Sequence, residues 1–401
     1  MNILQLCNKV PYPPKDGGSL ATWSLSSGMI LHGVNLKIIS MQTSKHPQIT
    51  EKLPLKISNN VSFDVIPINT DIKLFKLIQN LFFSKLPYNL ERFYSTKFSG
   101  KIISSLKGNT FDIVLLEGLS MAIYIPVIQS YTSAKIIMRA HNIEYKIWEG
   151  LAGDKKGMLN KRYLKIISYR LKHFEHRQLN LYDGLVPITE NDAVHYEKMG
   201  YKGPFQIVPF GLDLENYPDP DKESESKDLV FLGALDWNPN IDGLKWFLKE
   251  VWPQIHKEYP DLHFHIGGRN PSKRLLPLLD IPGIKYYGEV EDTNSFMAKG
   301  RLLVVPLFSG SGMRVKIIEG LARKKCIITT PKGSEGIPAE DGKHLLIASS
   351  PEKFIEQIKR VLDDPKTCET LSKEGYQFVK QNYDNFVLTK KLIDFFNKLI
   401  S

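Results

Sequence analysis

The sequence predicts an α/β protein of two Rossmann-like domains facing each other across a cleft, each a parallel sheet wound with helices. Three observations point there. The length of 401 residues exceeds one ordinary hydrophobic core. Short apolar runs alternate with segments of helical period. The same rhythm then restarts after residue 205. In the first half, Asn2–Leu6, Leu36–Ser40, Val61–Ile66, Ile113–Leu116, Ile136–Arg139 and Gly184–Ile188 read as strands. Ser19–His32 and Leu74–Phe83 read as helices between them. Buried strands separated by helices imply right-handed crossovers and a parallel sheet. In the second half, Gln206–Pro209, Leu229–Leu232, His263–Ile266, Lys285–Tyr287, Leu302–Val305 and Cys326–Thr329 read as strands, with Asp242–Tyr259 as one helix. The breaker cluster Pro209-Phe210-Gly211-Leu212-Asp213 and the charged loop Tyr217–Asp228 mark the joint. The expected division is residues 1–200 and 205–375, with a C-terminal helix over 380–401 packing back on the first domain. Ligands of open α/β sheets bind beyond the carboxyl ends of the strands, so the cleft is where a ligand is expected.

Composition narrows the class. With 42% hydrophobic and 24% charged residues, the chain reads as an ordinary soluble protein. Cys7, Cys326 and Cys368 are too few and too scattered for a disulfide framework, which fits a reducing cytoplasm. The opening Met1-Asn2-Ile3-Leu4 has no basic leader, and no apolar run approaches the about 18 residues of a membrane span. The expected location is cytoplasmic, with peripheral contact at the inner face of a membrane left open. The net charge of +10 lies entirely in the first half, where residues 1–210 carry 26 Lys and Arg against 15 Asp and Glu. That excess reads either as a solvated surface or as a face for an anionic partner. No nucleic-acid-binding signature is present, so nucleic acid is not the expected partner.

The most informative segment follows Leu302–Val305. A strand end, the loop Pro306-Leu307-Phe308-Ser309-Gly310-Ser311-Gly312, and a helix expected to begin near Met313 form an arrangement that can catch a phosphate. Gly-Ser-Gly alone fits a plain strand–turn–helix joint. Arg314 and Lys316 add two cations in the first turn, where they oppose the helix dipole, so an anion is expected to compensate them. Val315 stands where a dinucleotide fingerprint needs its third glycine, and no Walker loop occurs. Neither a dehydrogenase nor a P-loop NTPase is therefore the expected function.

Several motifs in order carry a resemblance. They are Val208-Pro209-Phe210-Gly211-Leu212-Asp213, Phe231-Leu232-Gly233-Ala234-Leu235-Asp236-Trp237-Asn238-Pro239-Asn240, Gly288-Glu289-Val290, and Gly312 to Ala322. In the first half, Pro11–Gly18 and Arg139-Ala140-His141-Asn142 join them. With these the chain resembles the retaining GT-B-fold glycosyltransferases of family 4 (glycosyl transferases group 1), most strongly over 205–345 and more weakly over 1–200. The resemblance implies an N-terminal acceptor domain and a C-terminal nucleotide-sugar donor domain. It implies transfer of a hexose from a nucleotide-diphosphate sugar to a glycan or lipid-linked glycan, as in polysaccharide biosynthesis, with retention of configuration and without a metal or other cofactor. The catalytic set would be His141, Arg314, Lys316 and Glu319, with Glu319 on the donor ribose and His141 on the sugar or its phosphate. Gly17, Gly18, Gly233, Asn240, Gly288, Val290, Ser311, Gly312 and Met313 would line the donor. Glu117 and Glu144, near ends of first-half strands, are candidates to orient the acceptor.

The sequence departs from the family in two places. Ser311 stands where a first glutamate is frequent, and Ala234 and Asn240 stand where an Arg and a Lys are common. Arg314 and Lys316 read as substitutes for those cations in space. Two alternatives stay open: a catalytically inactive nucleotide-sugar-binding protein, and another GT-B enzyme such as an epimerase or an inverting transferase. The pair Asp219 and Asp221 reads as solvated loop rather than as metal ligands. The basic, aromatic stretch Asp71–Tyr94 reads either as a membrane-surface or acceptor-docking helix pair or as an aromatic stripe facing the core.

Overall fold

The computed structural model describes residues 1–14, 17–43, 59–154, 157–217, 226–310 and 314–401. The chain divides into two compact units, Met1–Gly211 with Asn385–Ser401, and Leu212–Asp384. The first contains β1 (Asn2–Cys7), β2 (Asn35–Gln42), β3 (Val61–Pro67), β4 (Ile113–Glu117), β5 (Lys135–Ala140) and β6 (Gly184–Pro187). They form a parallel sheet in the order β3-β2-β1-β4-β5-β6. The second contains β7 (Leu229–Leu232), β8 (Phe264–Gly267), β9 (Ile284–Tyr286), β10 (Leu302–Val305), β11 (Cys326–Thr329) and β12 (Leu346–Ile347). Its parallel order is β12-β11-β10-β7-β8-β9, the same winding repeated. Each sheet therefore reverses its strand order once, between β1 and β4 and between β7 and β10, and such switch points open a crevice at the strand ends.

Ile113-Val114-Leu115-Leu116-Glu117 is buried at every position, as are β10 and β11, because helices cover both faces of a parallel sheet. The two-residue period sorts the first sheet into two cores. Leu4, Leu6, Val114, Leu116 and Met138 face one, and Ile3, Cys7, Ile113, Leu115 and Ile137 the other. Trp23 and Met29 of helix 17–31 and Leu388, Leu392 and Phe396 of helix 385–400 close the second core. Those helices meet at Gly28, where a Cβ would come within 2.5 Å of Thr389 Cγ2. N-caps are explicit: Thr189 accepts from Asp192 N–H, and Ser350 from Lys353 N–H.

Four expectations need correction. Asp242–Tyr259 is two helices, Asn238–Glu250 and Trp252–Glu258, because Pro253 lacks the N–H and crowds the preceding turn. Gln206–Pro209 is not a sheet strand; Gln206 and Val208 N–H groups bond Leu185 and Pro187 carbonyls beside β6. The helix expected near Met313 starts at Val315, with Arg314 as its N-cap residue. The helix expected from Ser19 begins at Gly17, so Gly17 and Gly18 lie in its first turn. The two-residue β12 is too short to leave a pattern in the sequence.

Candidate functional site

In the second unit the switch point between β7 and β10 gathers several of the expected residues. Gly233 follows β7, and its N–H donates to Gly267 O at 3.0 Å. A Cβ on Gly233 would meet Asn240 Nδ2 and Lys316 Nζ, each at 2.7 Å, so only glycine leaves room for them. Asn240, in the first turn of helix 238–250, is buried. Its amide donates to Ala234 O at 2.9 Å, and its Oδ1 accepts from Lys316 Nζ at 2.9 Å. The ammonium also lies 5.1 Å from the centre of the Phe231 ring. Lys316 thus occupies, from helix 315–322, the region where Ala234 and Asn240 supply no cation. Burial and the nearby Arg314 charge push its ammonium down to about 8, against the pull of Glu319.

Glu319 stands three residues on, and the Tyr217 hydroxyl donates to its Oε1 at 3.2 Å. Burial raises its carboxyl above the ordinary value, opposed by Arg323, the Tyr217 hydrogen bond and Lys316. Arg323 covers the Tyr217 ring at 4.5 Å and donates to Glu319 O at 3.1 Å. Arg314 is buried, and its Nη2 lies 3.5 Å from a Cβ placed on Gly310. At φ +102° Gly310 adopts a backbone that side chains avoid, packed under Trp237. Gly288 has φ +70°, accepts from Gly268 N–H at 2.7 Å, and leads to Val290, which packs on Gly267. Ser311, Gly312 and Met313, and likewise Asp219 and Asp221, lie outside the described residues. Nothing in the motif order points to Tyr217 or Arg323, and Trp237, though it lies within the motif Phe231 to Asn240, is not among the residues expected to line the donor; Tyr217 reads in sequence as the start of a charged loop.

The first unit holds a second cluster. Cys7, Glu117 and Arg139 are in register across β1, β4 and β5 and so share one face. Glu117 is buried at the end of β4. Its carboxylate accepts from Gln5 Nε2 at 2.7 Å and from Thr22 Oγ1 at 3.4 Å, and it pairs with His141 Nε2 at 2.7 Å. Burial alone would raise this carboxyl, but Arg139, His141 and Gln5 together hold it below the ordinary value. An ionised Glu117 can only accept, so it fixes the proton on His141 Nε2 and leaves Nδ1 as the ring's other polar atom. Glu117 is therefore engaged internally with His141. Glu144 is the first residue of helix 144–154 rather than a strand end, and burial raises its carboxyl. Gly17 is exposed, and nothing lies within 4 Å of a Cβ placed on it. Among the described residues no group of His, Cys, Asp or Glu is placed to hold a metal, and no helix is long and apolar enough to cross a membrane.

Two wound units, each with its polar residues at a strand-order switch, define the GT-B fold of glycosyltransferases. Residues 226–364, which include Lys316 and Glu319, match the family model of the Glycosyl transferases group 1. A 44.6 kDa protein named as uncharacterized, in the cps region of Klebsiella pneumoniae, is 24% identical over 290 residues, covering 69% of this chain and 71% of that one. The sucrose-phosphate synthase of Thermosynechococcus elongatus superposes with TM-score 0.71 at 13% identity, covering 100% and 99% of the two chains. Anabaena HepE, solved in complex with UDP, superposes with TM-score 0.66 at 12% identity over 99% and 100%.

Proposed function

We propose that the protein moves a sugar from a nucleoside-diphosphate donor to a glycan or lipid-linked glycan acceptor, with retention at the anomeric carbon. The observation that carries this reading is the pairing of Lys316 and Glu319 on one helix at the β7/β10 switch. Residues three apart lie on one side of a helix, so a cation for a diphosphate and a carboxylate for a ribose diol stand together. Gly233 gives the ammonium its room, and Asn240 and Tyr217 hold the two groups. Anabaena HepE, bound to UDP, supports a nucleoside diphosphate as the ligand class, and the relative in a cps region supports a place in polysaccharide biosynthesis.

Breaking the bond from the anomeric carbon to phosphate oxygen builds charge on the departing diphosphate, and fixed cations aimed there lower the barrier most. Lys316 and Arg314 are assigned that task. His141, its tautomer fixed by Glu117, is assigned to the sugar. Protein cations then take the place of a metal, so transfer is expected to persist in a chelator. The test is a panel of nucleotide sugars ranked by thermal shift, followed by transfer assays with the product anomer read by NMR. A nucleoside-diphosphate sugar that stabilises the protein and yields product of unchanged anomeric configuration supports the reading. An inverted product, or activity abolished by EDTA and restored by manganese, overturns its mechanism.

A further inference from the structure

The helix Leu74–Phe83 carries an apolar stripe on its outer side. Phe75, Phe82 and Phe83 are 78%, 74% and 86% exposed, with Ile72, Leu74 and Ile78 exposed beside them. Positions 74, 75, 78 and 82 recur at three and four, so they form a single stripe. The helix is nevertheless firmly held by its inner side. Asn80 is buried and donates to Leu86 O at 2.8 Å and Glu91 Oε2 at 2.7 Å. Arg170 clasps the Asn80 and Leu81 carbonyls at 3.2 and 2.7 Å. An anchored helix with three phenylalanines in water is the kind of patch that marks an interaction surface.

Beside it opens a cavity of about 490 Å³ whose wall includes Lys73, Lys76, Arg92, Lys97, Tyr88 and Tyr94. Asp71 and Glu91 are its acidic members, and Glu91 is already taken up by Asn80 and Ser84. Lys73, Lys76 and Lys97 form no ion pair with a described residue. Arg92 donates through Nη1 to Thr70 O at 3.3 Å, while its buried Nε has no hydrogen-bond partner among the described residues. The stripe alone would suit any apolar partner. The cationic cavity at its flank selects one with phosphate at its surface and hydrocarbon beneath.

We propose that this face is a docking surface for an anionic phospholipid bilayer. Phe75, Phe82 and Phe83 enter the interface, and a lipid phosphate seats among Lys73, Lys76, Arg92 and Lys97. The lysine stems run along the apolar stripe while their ammonium groups reach the headgroups. This docking stands independently of sugar transfer.

The full chain is sedimented with vesicles of phosphatidylcholine alone or mixed with phosphatidylglycerol. The anionic vesicles are expected to carry it down and the neutral ones not. Phe75→Ser with Phe82→Ser and Phe83→Ser should lower partitioning about tenfold or more. Lys73→Ala and Lys97→Ala should each lower it roughly fivefold and flatten its salt dependence. All these side chains are exposed, and unchanged melting confirms the fold of each variant. Equal sedimentation with both vesicle types, or a triple serine variant that partitions like the parent, overturns the proposal. So does stabilisation by inorganic phosphate or glycerol phosphate without vesicle binding, which would assign the cavity to a free phosphate. Dilution-dependent self-association abolished in the triple variant, again without vesicle binding, would assign the stripe to a second copy.

Discussion

Lys316 sits where two residue choices make room for it: a glycine at 233, which lacks a side chain, and an asparagine, rather than a lysine, at 240. Because its ammonium is pushed down to about 8, the charge is complete near pH 7 and is lost as pH rises through that value. Affinity for UDP should therefore fall between about pH 7.5 and 9 in the parent, and calorimetry on Lys316→Met should show that dependence gone. Lys316→Ala and Arg314→Ala should each lower turnover by roughly a hundredfold, the scale of losing one preorganised charge partner. Near-parental turnover in both would place the diphosphate elsewhere. Glu319→Gln keeps the shape but weakens acceptance from a diol, so the expected change is a raised donor KM with turnover little altered. At this scale the sequence offered residue types and the structure chose among them. The first-turn cations were legible as a pair, but only the fold puts one of them against Gly233 and Asn240.

Among the elements, the helix pair 144–154 and 158–178 encloses Glu175, which is buried and accepts from the Tyr196 hydroxyl at 2.8 Å. Burial, reinforced by Glu144 and opposed by Tyr196, lifts this carboxyl from 4.5 to about 7. Below about pH 4.5 the group is protonated folded or unfolded and contributes no difference. Between that value and about 7 only the folded chain keeps the proton, so stability declines as pH rises, and the full penalty stands above 7. Glu175→Gln should thus gain stability over the parent at pH 8, by at most roughly 3 kcal/mol, and gain almost nothing at pH 4. Melting curves at both pH values read this directly; an equal shift at both would refute it. Helix 238–250 crosses the exit of β10 at Gly243, where a Cβ would stand 1.8 Å from Pro306 O. Gly243→Ala must part the two elements, and a loss of about 1–3 kcal/mol is expected in chemical denaturation.

For the molecule as a whole, the chain's path matters as much as its pattern. Helix 385–400 closes the first unit although it follows the second in sequence. Leu388, Leu392, Phe395 and Phe396 are all buried there. At roughly 1.5–3 kcal/mol for each buried side chain, they carry on the order of 6–12 kcal/mol, as much as the net stability of a domain. A chain ending at Asp384 should therefore fail to form its first unit, and would be recovered as aggregate or with cooperative melting lost. A soluble truncated chain with parental melting would contradict the assignment.

Periodicity and punctuation determined what depends on local physics. Leu302–Val305, Cys326–Thr329 and Leu74–Phe83 could be read to the residue, because full burial leaves continuous apolar runs and a helical stripe leaves its own period. The motif order was enough for the fold and for the family resemblance. Contacts between residues far apart in sequence were not legible. The hydrogen bond from Tyr217 to Glu319 and the pair Glu117–His141 depend on where strands and helices return, and no local pattern encodes that. The same holds for Phe75, Phe82 and Phe83. Their spacing fits a helix facing the core or facing outward, and only the exposure of the three rings in the folded chain shows that they face outward.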